Sequence, residues 1–160
     1  MNFENKEKSS MMTQDDIQAM REYGFQLLYE DGIGKIYYST QISVFICEIV
    51  KEYIPIERFK NLLMVKAQML KQHPCKKFIF DNREIRSFHQ PSMEWYYIVW
   101  KPKMYEKFGL SVYRKLFTTE LWFRKCIEVG LIKIKQSHPD NISHQLDIQV
   151  KESIREAIFN

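Results

Sequence analysis

The chain has 160 residues, 45% hydrophobic and 14% aromatic, with five glycines and five prolines. That length suits one domain by the usual rule of roughly 100–200 residues, with core enough to need no disulfide staples, and the composition excludes disordered and fibrous classes. The net charge is +4, but the lysines are spread along the chain with acidic residues between them, which argues against the clustered charge of a nucleic-acid footprint.

Residues 1–12 read as a flexible polar tail, and residues 13–160 as a single domain. Thr13 is placed to cap a short helix, with Asp16 three residues on and Ile17 and Met20 following. Residues 25–30 and 35–39 read as strands around the turn Asp31-Gly32-Ile33-Gly34. Thr40-Gln41 then reads as a two-residue link to a third strand, 42–50, rich in β-branched and aromatic residues. Short connections predict an antiparallel meander.

Pro55 suits the first position of a helix, where its missing N–H costs nothing. Ile56, Phe59, Leu63, Ala67 and Leu70 follow at helical spacing, with Lys60, Lys66 and Lys71 on other faces. Residues 77–80 read as a strand whose short apolar run, Phe78-Ile79-Phe80, suits burial on both sides. It stops at Asp81-Asn82-Arg83, and a charged loop leads to an aromatic helix. There Met93, Tyr96, Tyr97, Trp100 and Met104 share one stripe. Pro102 should kink or restart that helix.

Residues 111–117 read as an amphipathic strand nearer an edge. Thr118 or Thr119 caps a further helix, whose apolar side is Leu121, Trp122, Cys126, Val129 and Ile132. After a loop at 138–141, residues 146–150 alternate as a last strand. Residues 151–159 form a closing helix with Ile154, Ala157 and Ile158 inward. The predicted fold is α/β: a mixed β-sheet of about six strands, an antiparallel meander followed by alternating β/α units, with helices mainly on one face.

Three segments carry a resemblance: Tyr53-Ile54-Pro55 opening the helix after the meander, the strand end Phe80-Asp81-Asn82-Arg83, and Trp95 with Trp100 in the next helix. With the order of elements, they resemble the SpoIIAA-like branch of the STAS fold, the bacterial anti-sigma-factor-antagonist family. They are more closely similar to small bacterial STAS/Sec14-type domain proteins. The resemblance covers roughly residues 25–159. It implies that Asp81-Asn82-Arg83 occupies the corner where the antagonists carry a phosphorylatable serine. Asn82 has no hydroxyl, so the kinase-driven switch is not expected there. Ser87 and Ser92 lie downstream without a mark of their own.

No reaction is written in the motifs. Asp81 at a strand end has the position of a general base, but pairing with Arg83 or Arg86 is the commoner fate of such an Asp. His73, His89, His138 and His144 lack zinc-ligand spacing. Gly32-Ile33-Gly34 is followed by a strand, so no dinucleotide cradle is expected. The three cysteines, Cys47, Cys75 and Cys126, form no framework and suit a reducing compartment. No apolar run is long enough to span a bilayer, and Met1–Ser10 lacks the apolar centre of a signal peptide. A soluble cytoplasmic protein without metal or cofactor is the expectation.

Two functions remain open. One is a non-enzymatic regulatory or interaction module working on a protein partner through the Asp81 corner and the aromatic helix. The other is a carrier or sensor of a small apolar or lipid-like ligand held between that helix and the sheet. The candidate binding residues are Asp81, Asn82, Arg83, Arg86, Trp95, Tyr97 and Trp100. Successive helical residues turn by about 100°, so Trp100 should be the core member and Trp95 the more accessible one.

Overall fold

The structure, a computed structural model, describes residues 11–160. Residues 1–10 of the expected tail lie outside them, and Met12 packs against the core. Helix α1 (Gln14–Glu22) starts in a capping box: Thr13 Oγ1 accepts from Asp16 N–H, and Asp16 accepts from Thr13 N–H. The antiparallel strands β1 (Gln26–Glu30), β2 (Gly34–Ser39) and β3 (Val44–Ile49) follow. The second hairpin differs from the expectation. Ser39 pairs with Val44, so the loop has four residues, and Ser43 takes a positive φ of 56°.

Helix α2 (Ile56–Met69) crosses to β4 (Lys77–Asn82). Helix α3 (Gln90–Glu94), a π-helical stretch (Trp95–Trp100) and helix α4 (Lys101–Phe108) then run on without a break to β5 (Val112–Phe117). Helix α5 (Leu121–Ser137) and a short 3₁₀ turn (Ile142–Gln145) lead to β6 (Asp147–Val150), and α6 (Ile154–Phe159) closes the chain. The six strands lie in sequence order, β1-β2-β3-β4-β5-β6. The first pairs are antiparallel and the pairs from β3 onward are parallel. The mixed six-stranded α/β sheet is therefore as the sequence predicted.

The sheet has two buried faces because strand residues alternate. Phe45, Cys47, Phe78, Phe80 and Tyr113 pack beneath the crossover helices and the aromatic stretch. Val44, Ile46, Ile79 and Leu116 pack on the other face with Ala19 and Met20 of α1 and Ile154, Ala157 and Ile158 of α6. The longer helices lie on one side, and the two short terminal helices cover the other.

Other expectations change. Strand β5 lies beside the edge strand β6, as expected, but it is not amphipathic: Arg114 and Lys115 are both buried, one on each face. Helix α5 has Glu120 as its N-cap, not Thr118 or Thr119. Lys66 does not sit on an outer face of α2 but is fully buried with Leu62 and Leu63. On α5 the inward side is Phe123, Gly130 and Ile134, whereas Leu121, Trp122, Val129 and Ile132 are exposed. Gly130 explains the reversal locally. A Cβ there would stand 2.6 Å from Gln90 Oε1 and 2.8 Å from the Phe88 ring, so the missing side chain lets the residues around α3 seat against α5.

Candidate functional site

The strand-end corner expected to meet a partner is divided by the pleat. Asp81 faces α1 and α6, and Asn82 faces the crossover helices. Asp81 accepts from Arg83 Nε at 2.9 Å and Nη2 at 2.8 Å, and Arg83 Nη1 stands 2.9 Å from Asp16 Oδ2. Asp16 Oδ1 also accepts from Ile154 N–H at 2.9 Å. This cluster clamps α1 and the start of α6 onto the end of β4. Burial raises the Asp16 pKa, but bonds from Thr13 and Ile154 N–H and the Arg83 guanidinium outweigh it, and the net shift is downward. Burial likewise lowers the Arg83 pKa, and its two carboxylate partners more than reverse that. Arg86 is tied to the Arg83 and Ile85 carbonyls and to Glu120. Asp81 and Arg83 are thus spent on each other and on α1, with little surface left for a partner.

The aromatic stretch owes its shape to Pro102 and the π turn. A proline at 102 cannot donate to the Ile98 carbonyl four residues back; that oxygen accepts from Asn141 Nδ2 at 3.3 Å. The Lys101 N–H bonds the Tyr96 carbonyl, five residues back, which widens the turn. The wider turn brings Tyr96, Tyr97 and Trp100 to the sheet together, and all three are buried. These three belong to the stripe that the spacing predicted. Trp95 is half-buried, packed edge-on against Phe59 with Lys60 over its ring. It is the most accessible of Trp95, Tyr97 and Trp100, as helical geometry predicted. Trp100 is 1% exposed and belongs to the core.

Between this stretch and the sheet lies a pocket with about 100 Å³ of free volume. Its floor is Phe80 and Asn82 of β4 and Lys115 and Phe117 of β5. Met93, Tyr96 and Tyr97 form one wall, Phe123 and Ile127 of α5 another, and the loop of Ile85 to His89 crosses near the mouth. The pocket sits at the carboxyl ends of parallel strands, where ligands of α/β sheets commonly bind. Apolar lining with a few polar groups is the usual composition of a small-molecule site.

The polar groups at the floor have few partners. The Asn82 side-chain Oδ1 is buried without a hydrogen bond. Lys115 Nζ donates to the Tyr97 hydroxyl. Burial alone pulls the Lys115 pKa down to about 8, and burial pushes the Tyr97 phenol up. Tyr97 and Lys115 also line a wider hollow on their far side, towards Ser143 and Ile148.

Of the residues singled out from sequence, Asn82 and Tyr97 therefore line the pocket, Trp95 flanks its wall, and Asp81, Arg83 and Trp100 are structural. Lys115 was missed. Its signal was the inward register Tyr113-x-Lys115-x-Phe117, which reads as such only once β5 is known to be interior. Among the described residues no three of His, Cys, Asp and Glu come together to hold a metal, and no helix is long and apolar enough to cross a membrane. Comparison of the chain with protein-family models, curated proteins and solved structures finds no match.

Proposed function

We propose that this chain is a non-enzymatic carrier or sensor of a small, largely apolar ligand, held in the pocket between the aromatic stretch and the sheet. The observation that carries this reading is the pocket itself: apolar walls at the strand ends, and a floor where the unpartnered Asn82 Oδ1 lies near Lys115, whose ammonium donates to the Tyr97 hydroxyl. The similarity of the sequence to STAS/Sec14-type domains points the same way and is part of the proposal, as is a cytoplasmic location. Native mass spectrometry of freshly purified protein is the test. The reading predicts a retained small molecule, or stoichiometric uptake of one from a panel of apolar compounds. Failure of every compound to bind would count against it.

A second reading, an interaction module, is favoured by a different surface from the one expected. On α5, Leu121 is 83% exposed and Trp122 51% exposed, with Val129 and Ile132 beside them. Clustered exposed apolar residues commonly mark a contact surface. Under this reading Trp122→Ala, and not Trp95→Ala, removes a partner in a pull-down, and unchanged partner lists would dismiss it.

A further inference from the structure

Buried charge is sorted between the two faces of the sheet. The buried carboxylates among the described residues are Asp16, Glu48 and Asp81, together with Arg83 and Arg114 on the α1/α6 side. The crossover-helix side holds three buried lysines, Lys66, Lys101 and Lys115, and among the described residues none of them has a carboxylate partner. An ammonium buried without an anion is costly.

Two of the three are enclosed by rings. Lys66 Nζ stands 3.6 Å from the Phe78 ring centre, with Phe45 and Trp100 farther off. Lys101 Nζ stands 3.9 Å from Tyr97 and 4.5 Å from Tyr113. Lys115 differs, because it forms part of the pocket floor. Phe80 pairs with Lys115 and Asn82 with Phe117 in the β4–β5 ladder. Lys115 and Asn82 are therefore diagonal neighbours on one face, a separation that one small group can bridge. Asn82 is 7% exposed with its Oδ1 unpartnered, and its amide can present either end to a ligand.

We propose that the ligand is a small carboxylate with an apolar tail. Its head group takes a charge-assisted hydrogen bond from Lys115 Nζ and a second bond from the Asn82 amide, and its tail lies among Phe59, Met93, Phe117 and Phe123. This inference rests on the pocket reading above. The carboxylate supplies the negative charge that the face lacks, and Tyr97 holds the lysine in place.

The charged and titratable groups around Lys115 are Tyr97 on the π turn, Lys101 on α4 and His89 on the loop that lines the pocket, with Lys135 and His144 lining the hollow on the far side. Burial and then the Lys115 ammonium push the Lys101 pKa well below its ordinary value, and a bound anion offsets that repulsion. Carboxylate affinity is therefore highest where Lys115 is charged and falls as the pH rises beyond about 8.

The experiment is isothermal titration calorimetry of the full chain with hexanoate and with hexan-1-ol, which share a tail and differ in charge. Hexanoate is expected to bind roughly tenfold or more tightly at pH 7, the scale of one charge-assisted bond. Lys115→Met should abolish the preference for hexanoate over hexan-1-ol, and in the wild type the preference should fade between pH 8 and 10. Equal binding of both probes, or a preference that survives in Lys115→Met or at high pH, overturns the carboxylate inference and leaves the pocket reading standing. If neither probe binds, both fail. The wild-type pH series needs no variant, so poor folding of Lys115→Met would not shield the proposal.

Discussion

The indole Nε1 of Trp100 donates to the main-chain carbonyl of Leu63 at 3.1 Å, joining the aromatic stretch to α2 across the top of the sheet. The ring also lies against Phe78, Tyr96 and Tyr113. This residue holds the wall of the pocket without lining it. Trp100→Phe removes the bond and part of the ring, and should cost about 2–3 kcal/mol in urea denaturation. Trp95→Ala, at a half-buried position, should cost less. A loss below about 1 kcal/mol for Trp100→Phe would mean that the stretch is fixed by other contacts.

Arg83 should prove a structural residue. Removing it leaves Asp81 and Asp16 buried without their cation, a change that costs about 3–5 kcal/mol. Arg83→Ala should therefore be unfolded or strongly destabilised by circular dichroism. The Asp16 pKa is depressed in the folded state, so its contribution is present above the ordinary carboxylate range. That contribution is lost as the pH falls through the folded value. A stably folded Arg83→Ala that loses a protein partner would return this corner to the surface role the sequence first implied.

The buried lysines make stability rise with pH on the alkaline side. Burial lowers Lys66 and Lys115 to about 8 and lowers Lys101 as well. Between about pH 8 and 10 the unfolded chain binds more protons at these sites than the folded one, so unfolding becomes harder as the pH climbs. Cys47 and Cys75, whose thiols burial pushes up, oppose part of this gain within the same window, and Tyr96, Tyr97 and Tyr113, whose phenols burial pushes up, reverse the trend once unfolded tyrosines ionise. The urea midpoint at pH 9.5 should exceed that at pH 7.5. Lys66→Met should raise the pH 7.5 midpoint and flatten the slope, with a gain of about 1–3 kcal/mol. A midpoint that falls steadily from pH 7.5 would show that these lysines stay charged in the fold.

Much of this architecture was legible because strands and helices announce themselves by period. The strand that starts at Lys77 and the Thr13 cap each have a local cause and lie where that cause puts them, while Pro55 stands one residue outside its expected place, as the N-cap of α2. The pocket was less legible, for three physical reasons. The pleat sends Asp81 and Asn82 to opposite faces, so one strand-end motif becomes a clamp and a pocket-lining side chain. The π turn widens the helix around the stripe that α-helical spacing had already grouped, and the spacing cannot reveal that widening. Lys66 and Lys115 look like solvent residues in any one-dimensional reading, and only the neighbours brought by α2, α4 and the sheet bury them. On α5 the apolar residues divide between two sides, and Gly130 selects the inward one by permitting close approach.

The central claim is that a ligand enters the pocket between the aromatic stretch and the sheet. Methyl-resolved NMR during a hexanoate titration tests it most directly. The account predicts saturable shifts at the methyls of Ile54, Ile85, Met93 and Ile127, which line the pocket, while Ile46, Ile79 and Ile154 on the opposite face stay still. Shifts confined to Leu121, Val129 and Ile132 on the outer side of α5, or no saturable shift at all, would contradict it.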